Sequence, residues 1–477
     1  MIPVLLILTP LVTGLVSLLL KQSETAKGWA LLSSLVSLII AIAGVFFYPK
    51  QQLVFDAAWL PDLGSRFALQ MDGMGKMLCL LTAVSFPVIF LATYRNEYRN
   101  AGRFYALMLL TQAGLTGVFV ATDALLFYFF WELALIPVYF LCSIWGGERR
   151  IPVTFKFFIY TFIGSLLMLI GILYVYFHTP DRSFAMHSFY RAVLDARMEN
   201  FVFWLFFIAF AIKMPVFPFH TWQPDAYEQS PTAVTMVLSG VMVKMGIFAV
   251  IRWLLPVFPH ASVHFADVVI VLSVIGILYA SLIAIRQDDF KRLIAYSSIA
   301  HIGLMSAAIF AGKSAGLNGV MVQMFNHGIN VIGLWIVADA IEQQLGTRKF
   351  SELGGLAQKA PALAVLLAVM AFANIALPLT NAFVGEFLMF NGLFQYNMWM
   401  AAVACISVIL AAVYTLNMVQ KVLYGSTGSI TEQAGETAPN VQWALVLLAI
   451  GIMVLGVYPQ PMINLTKDSV QAVLVNR

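Results

Sequence analysis

Apolar windows of about 20 residues recur along almost the whole chain, and this pattern restricts the fold more than any other feature. A helix needs about 20 apolar residues to cross the hydrocarbon core of a bilayer. The composition agrees, because 61% of the 477 residues are hydrophobic and only 10% are charged, against roughly 25% charged in soluble domains. We predict an all-α polytopic membrane protein with about fourteen transmembrane helices. The windows begin near Ile2, Trp29, Lys76, Phe104, Asp123, Phe155, Phe201, Thr232, Ala266, Arg292, Leu317, Ala362, Met398 and Val441.

The longest polar connections between these windows lie at 50–73, 178–200 and 425–440. None is long enough to enclose a hydrophobic core of its own. We therefore expect no soluble domain, and we expect nucleotide, flavin and iron-sulfur chemistry to belong to other chains. The first window has no basic stretch before it and no small-residue cleavage site after it, so we interpret it as a retained helix rather than a signal peptide.

The lysines and arginines of the connecting loops predict the orientation of the chain. Cytoplasmic loops carry an excess of Lys and Arg, and alternate connections of a fourteen-helix chain differ in this respect. Assigning the richer set to the cytoplasm places both termini on the opposite side of the membrane. The richer set contains Lys21, Lys27, Arg95, Arg99, Arg103, Arg149, Arg150, Lys156, Arg286, Lys291, Arg292, Arg348, Lys349, Lys359 and Lys421.

Two windows contain prolines and polar residues that must interrupt a helix. In the window at 201–225, Pro215 and Pro218 follow Lys213 closely, and each proline lacks an amide donor and clashes with the preceding turn. In the window at 362–396, Pro378 lies among polar residues shortly before Glu386. Irregular backbone at membrane depth is tolerated only where protein or water satisfies it, and such broken helices form ion sites in transporters. We predict two broken helices that line a functional site.

The spacing of these features suggests an internal repeat. Adding about 170 residues carries Glu132 to the vicinity of His301, Lys213 to the vicinity of Glu386, and one proline break to the other. A unit of five helices crosses the membrane an odd number of times, so two consecutive units would be inverted relative to each other. The predicted division is 1–103 for three N-terminal helices, 104–255 and 256–425 for the two units, and 426–477 for a loop and the last helix.

Glu132 and Lys213 are charged residues deep within apolar windows. A charge near the bilayer centre costs about 2.5–3.5 kcal/mol by insertion scales, so a chain that keeps several of them uses them. The distance between Glu132 and Lys213 would control how tightly the lysine holds a proton. The structural alternatives are a buried ion pair that only joins helices and, for Lys213, an ammonium group that reaches the interface.

Lys244, His301, His327 and Glu386 extend the polar line into the second half of the chain. A second buried lysine and two histidines suit a relay, because histidine titrates near neutral pH and can pass a proton through its two nitrogens. Glu386 would be the terminal group. The alternatives are hydrogen-bonded packing for the histidines and, for Glu386, a carboxylate stabilised by a half-helix dipole; Lys291 is interpreted as an interfacial residue.

The cysteines and one histidine pair are interpreted as structural. Cys79, Cys142 and Cys405 lie far apart in apolar windows, which favours packing over a disulfide or a metal cluster. His260 and His264 have i, i+4 spacing, but no further ligand joins them at a suitable distance along the chain, so a solvated pair is favoured over a metal site.

Several motifs, in order along the chain, resemble the antiporter-like membrane subunits of respiratory complex I. They are FWEL at 130–133 with Pro137 and WGG at 145–147, AIKMP at 211–215 with PFHTWQPDA at 218–226, KRLIAYSS at 291–298, and FVGEF at 383–387. The resemblance covers nearly the whole chain. It implies two inverted five-helix units and the roles of channel glutamate for Glu132, channel lysine for Lys213, relay lysine for Lys244 and exit glutamate for Glu386.

The same resemblance implies a proton-translocating subunit of an NADH:quinone oxidoreductase in a bacterial cytoplasmic membrane. NADH, FMN, iron-sulfur clusters and quinone would then lie in partner subunits, and neighbouring antiporter-like subunits and lipid would surround this chain. Subunits of multisubunit sodium/proton antiporters and of membrane-bound hydrogenases are the alternatives, and the carboxylate at Glu386, where the antiporters usually have a lysine, argues against the first.

The chain departs from the family pattern at four positions. Tyr227 stands where a histidine is frequent, Gln223 where leucine is usual, and Ala376 and Leu379 where glycines are common. The first change removes a titrating group, and the last two are expected to stiffen the second break.

Overall fold

The computed structural model describes residues 1–475, apart from the side chain of Lys50. The chain is mostly helical, and eleven helices of this range are long and apolar enough to cross a membrane; Ile2–Ser17 and Pro361–Asn374 are shorter apolar helices. The first helices are α1 (Ile2–Ser17), α2 (Ser23–Phe46), α3 (Gly73–Ala92), α4 (Ala101–Val120), α5 (Ala124–Trp145) and α6 (Arg150–Tyr176).

The middle of the chain contains the first broken helix and the two most buried ones. Its helices are α7 (Met186–Phe189), α8 (Ala196–Lys213), α9 (Gln223–Gln229), α10 (Thr232–Val237), α11 (Val243–Ala249), α12 (Leu255–Val257), α13 (Pro259–His264), α14 (Ala266–Ile285), α15 (Phe290–Ala311) and α16 (Ser314–Leu345).

The last part contains the second broken helix. Its helices are α17 (Leu356–Lys359), α18 (Pro361–Asn374), α19 (Asn381–Tyr396), α20 (Met398–Leu423), α21 (Pro439–Val457) and α22 (Gln460–Val475). The amphipathic α22 was not predicted, and it is fastened to the start of α3 because the Ser469 hydroxyl accepts from Met74 N and lies 3.3 Å from the Asp72 carboxylate.

Two helical rods form the centre of the molecule. All residues in the apolar windows of Thr232–Val257 and Ser314–Leu345 are buried, whereas only 22% of the window in α21 and 33% of that in α20 are buried. The exposed residues of α21, and those of α20 before Asn417, are apolar, which suits contact with lipid or with other membrane proteins. Lys244 and His327, which lie on these two rods, are therefore shielded by protein.

The Thr232–Val257 rod is not a regular α-helix. Two π-helical segments, Leu238–Met242 and Val250–Leu254, join α10, α11 and α12. A π turn shifts the hydrogen-bonding register and frees backbone carbonyls, and such turns are frequent at functional sites. Here the first π segment lies immediately before the α11 turn that carries Lys244.

A β-hairpin occupies the connection at 50–73, which the sequence interpretation had treated as a plain loop of an all-α protein. Strands β1 (Val54–Leu60) and β2 (Ser65–Gln70) pair antiparallel, and Gly64 provides the left-handed residue of the turn with φ 69°. Asp123, the N-cap of α5, accepts from the Ser65 hydroxyl at 2.9 Å and from Arg66 N at 3.0 Å. The hairpin is thus held by a residue more than fifty positions away, which local patterns do not indicate.

The cysteines divide into two groups. Cys79 and Cys142 are buried, as predicted for packing residues, but Cys405 is exposed on α20, so the packing prediction was wrong there. A span in contact with lipid tolerates such a residue because the thiol is only weakly polar.

Candidate functional site

The first broken helix ends in a lysine that makes no hydrogen bond to the described residues. Helix α8 ends at Lys213, and the chain runs irregularly to the start of α9. The carbonyl of Ile212 accepts a hydrogen bond from the Trp222 indole at 3.0 Å, and Ala211 O accepts from Val216 N at 3.0 Å. The protein itself therefore satisfies the opened backbone, while the Nζ of Lys213 is buried and makes no hydrogen bond within the described chain.

Trp131 and Glu132 are the neighbours of this lysine. Lys213 Nζ lies 5.5 Å from the centroid of the Trp131 ring, a distance at which the π face attracts a cation. Glu132 lies beside Ser165 and leaves Oε1 without a hydrogen-bond partner. No ion pair within 4.0 Å joins Glu132 to Lys213 among the described residues, so the two charges act on each other through space.

Lys244 is the start of a connected group. Its ammonium nitrogen donates to Ser239 O at 2.7 Å, a carbonyl in the first π segment, and lies 2.8 Å from Nδ1 of His327. Both side chains are buried, at 0% and 4% exposure. The π segment therefore aims a freed carbonyl at a buried ammonium group, and the lysine can exchange a proton with His327 directly.

His301 and Glu386 continue the group across two more helices. The rings of His327 on α16 and His301 on α15 have centroids 5.5 Å apart. Nδ1 of His301 lies 2.9 Å from Oε1 of Glu386 on α19. Lys244, His327, His301 and Glu386, hereafter the central relay, thus form a row of titratable side chains that extends from α11 to α19.

Amide side chains of α16 surround the second break. Asn326 donates to Asn381 O at 2.6 Å, Asn330 donates to Ala373 O at 3.3 Å, and Gln323 donates to Glu386 at 3.3 Å. The carbonyl oxygens of all three amides have no partner in the described chain. A second helix therefore satisfies the opened backbone here, and it leaves acceptors free for water.

A small cavity lies beside Glu386. It has a volume of about 20 Å³ and is lined by His301, Tyr414 and Ser407, among others, enough space for one water molecule. The Tyr414 hydroxyl lies 3.0 Å from the Ser297 hydroxyl, which accepts from Asn374 at 3.0 Å. The end of the central relay thus has polar neighbours from α15, α18 and α20.

A wider polar cavity of about 680 Å³, hereafter the vestibule, lies at the ends of α9 and α16. Arg348 organises its charges: its guanidinium pairs with Glu228 at 2.6 Å, with Glu342 at 3.4 Å and with Asp289. Burial disfavours the charge of Arg348, but the adjacent carboxylates Asp289 and Glu342 outweigh it, so the pKa of Arg348 is raised above its ordinary value. Lys291 pairs with Glu342 at 2.6 Å.

Of the six candidate residues, four are brought together and two lie apart. Lys244, His301, His327 and Glu386 are linked as described, whereas no hydrogen bond or ion pair between described residues joins Lys213 to them. The sequence analysis did not select the three amides of α16, which are Gln323, Asn326 and Asn330. Their spacing with His327 places all four residues on one polar face of the helix.

Metal-ligating side chains are not clustered among the described residues. No group of three or more His, Cys, Asp and Glu side chains is placed to hold an ion. His260 and His264 are exposed, with parallel rings 6.3 Å apart, the arrangement expected of a solvated pair.

The fold and the central relay define a class: a multi-pass membrane protein in which titratable side chains are buried on two central helices and beside two broken ones. Comparison with known proteins gives the family. Residues 121–411 match the family described as NADH:quinone oxidoreductase/Mrp antiporter, transmembrane. The chain belongs to this family.

Individual relatives agree with the family match. The chain is 36% identical to the NADH-quinone oxidoreductase subunit M of Pseudomonas aeruginosa, over 98% of this chain and 96% of that protein. It is similar to a chain of respiratory complex I from Thermus thermophilus, solved with bound NADH, at 29% identity with a TM-score of 0.90, covering 99% and 100% of the two chains. A chain of an archaeal membrane-bound sulfane sulfur reductase matches at 25% identity with a TM-score of 0.88, covering 99% of each.

Proposed function

We propose that this chain is a proton-translocating membrane subunit of an NADH:quinone oxidoreductase, and that the central relay conducts the proton. The observation that carries the proposal is the continuity of Lys244, His327, His301 and Glu386, with contacts of 2.8 Å and 2.9 Å at its two ends. Such a row of buried titratable groups is costly in a membrane. It is useful only if the groups exchange protons.

Glu132 and Lys213 control the loading of a proton onto the central relay through their electrostatic interaction. Because Lys213 has no hydrogen-bond partner among the described residues, its hold on a proton depends on Trp131 and on the distance to Glu132. Electron transfer in partner subunits shifts charge along the membrane arm, Glu132 and Lys213 approach or separate, and a proton passes to Lys244. The central relay then delivers the proton through Glu386 to the opposite side.

The proposed architecture has fourteen transmembrane helices and two inverted five-helix units. Three helical segments of the first unit begin at Ala101, Ala124 and Thr232. Their counterparts begin at Ala266, Phe290 and Met398, each about 165 residues later. The proposed division remains 1–103, 104–255, 256–425 and 426–477. At this offset Lys213, the last residue of α8, and Glu386, within α19, lie on opposite sides of their breaks, so they are not positional counterparts.

The proposed setting is the bacterial cytoplasmic membrane, with both termini outside the cytoplasm and the vestibule facing the cytoplasm. The vestibule is lined by Arg149, Lys291, Arg348 and Lys349 from the loops rich in Lys and Arg. FMN, iron-sulfur clusters, NADH and quinone bind partner subunits. Co-purification with flavin and iron-sulfur subunits supports this assignment, whereas co-purification with antiporter chains or a nickel-iron subunit contradicts it.

Alanine variants of the loading pair test the proposal. In the assembled complex in vesicles, Glu132→Ala or Lys213→Ala is expected to abolish or sharply lower proton pumping and coupled quinone reduction. Lys421→Ala, which changes an exposed lysine of α20, is the control and should pump normally. Assembly is checked by recovery of all subunits, and normal pumping by either variant of the pair refutes the loading role.

A further inference from the structure

Lys244 and Arg252 are the two charged residues of the sequence 232–257, which forms one of the two central rods. The central relay uses Lys244, whereas the proposed cycle gives Arg252 no role. Arg252 lies in the second π segment, about 30 Å along the rod from Thr232 at the vestibule, for a rise of about 1.5 Å per residue. A charge is costly within a membrane protein, so a second one on this rod requires a function at the end remote from the vestibule.

Both the side chain and the backbone of Arg252 are held by other parts of the molecule. The guanidinium Nη2 donates to Oδ2 of Asp72 at 2.6 Å, and the two side chains are largely buried. The main-chain carbonyl of Arg252 accepts from the Tyr190 hydroxyl at 2.7 Å. In an α-helix this carbonyl would accept from the amide four residues later, but that residue is Pro256, which has no N–H. The sequence thus frees one carbonyl of the π segment, and Tyr190 satisfies it.

Asp72 is itself fixed in place from two sides. It is the N-cap of α3, where Oδ1 accepts from Gly75 N at 3.0 Å, and Oδ2 accepts from the Ser469 hydroxyl of α22 at 3.3 Å. A Cβ added at Gly73 would lie 2.2 Å from a backbone carbonyl of α22, so that helix packs directly on this turn. The ion pair therefore joins the central rod to a rigid corner of the fold.

The anchored π segment sets the orientation of the helix that carries Lys244. Helix α11 lies between the two π segments, and Lys244, Phe248 and Arg252 follow one another at intervals of four residues. The guanidinium carbon of Arg252 lies 5.4 Å from the centroid of the Phe248 ring. A π turn contains an extra residue, and each residue turns a helix by about 100°. Loss of the second π segment would therefore rotate α11 and move Lys244 away from His327.

We propose that Arg252 and Asp72 are positioning residues for Lys244. Their ion pair holds the second π segment in register, and this register keeps the ammonium group of Lys244 2.8 Å from Nδ1 of His327. The first π segment is built in a parallel way, because Ser239 O in that segment accepts from Lys244. The inference rests on the proposed function, since it concerns the same central relay, but it assigns a role to two residues that neither bind nor carry the proton.

Charge-removing variants of the pair test the inference in the intact complex. Arg252→Gln and Asp72→Asn should each lower the proton-to-electron ratio in vesicles by about threefold or more, because a misplaced transfer group loses much of its rate. Asparagine caps a helix as well as aspartate does, so the second variant leaves the start of α3 intact. The double variant should fall no further than the lower single variant, since the two residues act as a unit. Arg252→Lys keeps the charge and should restore most of the ratio.

Arg66→Gln is the matched control. It breaks an ion pair with Asp56 that also measures 2.6 Å but lies in the β-hairpin, outside the central rods, and it should pump at the wild-type ratio. Recovery of all subunits checks assembly, and where Arg252→Gln lowers the yield, Asp72→Asn decides. A map of the Asp72→Asn complex should place Lys244 Nζ beyond hydrogen-bond distance, about 3.2 Å, from His327 Nδ1.

The outcomes separate the inference from the function on which it rests. If Lys244→Met stops pumping while Arg252→Gln and Asp72→Asn pump at the wild-type ratio, the positioning role is refuted and the central relay stands. If Lys244→Met pumps normally, the proposed function fails. A lowered ratio in Asp72→Asn with Lys244 still in contact with His327 also overturns the inference, as does an Arg252→Lys complex that pumps no better than Arg252→Gln.

Discussion

The two broken helices of this chain satisfy their opened backbone groups with different parts of the molecule. At the first break, Trp222 from the break itself caps Ile212 O, and Lys213 is buried without a hydrogen bond to any residue that the structure describes. At the second break, Asn326 and Asn330 of α16 cap the backbone, and Glu386 is bonded to its neighbours. One break isolates a charge, and the other connects one.

The difference teaches that opening a helix in the membrane does not by itself make a path for protons. A buried lysine that is held only by an aromatic face and a distant carboxylate responds to the local field. A carboxylate in contact with a histidine and amides exchanges protons along a line. The first break is suited to sensing a change of charge, and the second is suited to conduction.

The largest effect that separates the two regions is expected from Lys244. Lys244→Met removes the group that joins His327 to the π segment, so proton pumping should fall at least about tenfold, the lower range for loss of a positioned acid or base. The measurement is the proton-to-electron ratio of the complex in vesicles, with Lys421→Met as the control. A ratio within twofold of wild type would remove Lys244 from the path.

A smaller loss is expected from His301. His301→Gln keeps a hydrogen-bonding side chain beside Glu386 but cannot pass a proton through its ring nitrogens, so pumping should fall roughly fivefold, with water carrying the remainder. His264→Gln, on the exposed pair, should have no effect. If His301→Gln equals wild type, a hydrogen-bonded packing role is sufficient for His301.

At the first break, Trp131 provides the sharper test. Trp131→Leu removes the aromatic face over Lys213, an interaction of about 0.5–2 kcal/mol, and pumping should fall about threefold, whereas Trp131→Phe retains most of it. The measurement is again the proton-to-electron ratio of the complex in vesicles. If Trp131→Leu pumps at the wild-type ratio, the aromatic face does not support Lys213, and this account of the first break is contradicted.

The smallest effect concerns the strain at the second break. Ala376 and Leu379 have φ of 54° and 74°, a left-handed conformation that costs a residue with a side chain about 1–2 kcal/mol. Leu379 is 64% exposed, so Leu379→Gly loses little packing. After the greater chain entropy of glycine is subtracted, Leu379→Gly should raise the free energy of unfolding by about 0.5–1 kcal/mol. This is observed as slower thermal inactivation in detergent. Faster inactivation would show that the leucine makes a contact outweighing the strain.

The sequence predicted the features that are costly in a membrane. Charges and prolines in apolar windows are conspicuous because each carries a large penalty, so both breaks and the buried lysines could be found. Thr232, Ala266 and Met398 were predicted window starts and are also the first residues of α10, α14 and α20.

The remaining features depend on contacts between distant segments. The amides of α16 are uncharged, so they do not stand out as the buried charges do, and the carbonyls that they cap lie more than forty residues away. The hairpin depends on Asp123, and the π segment before Lys244 depends on packing of the central rods, which no local residue pattern specifies. The pairing of Lys213 with Glu386 by spacing was inexact because Lys213 precedes the first break, at 214–222, whereas Glu386 follows the second, at 375–380.

Infrared difference spectroscopy of the working complex tests the central claim most directly, because it observes whether Glu386 gains and loses a proton during turnover. The account predicts a carboxylic acid C=O band that changes during turnover in the wild-type complex and is absent from Glu386→Gln. If the wild-type complex pumps protons and its carboxyl region is identical to that of Glu386→Gln, the relay through Glu386 is contradicted.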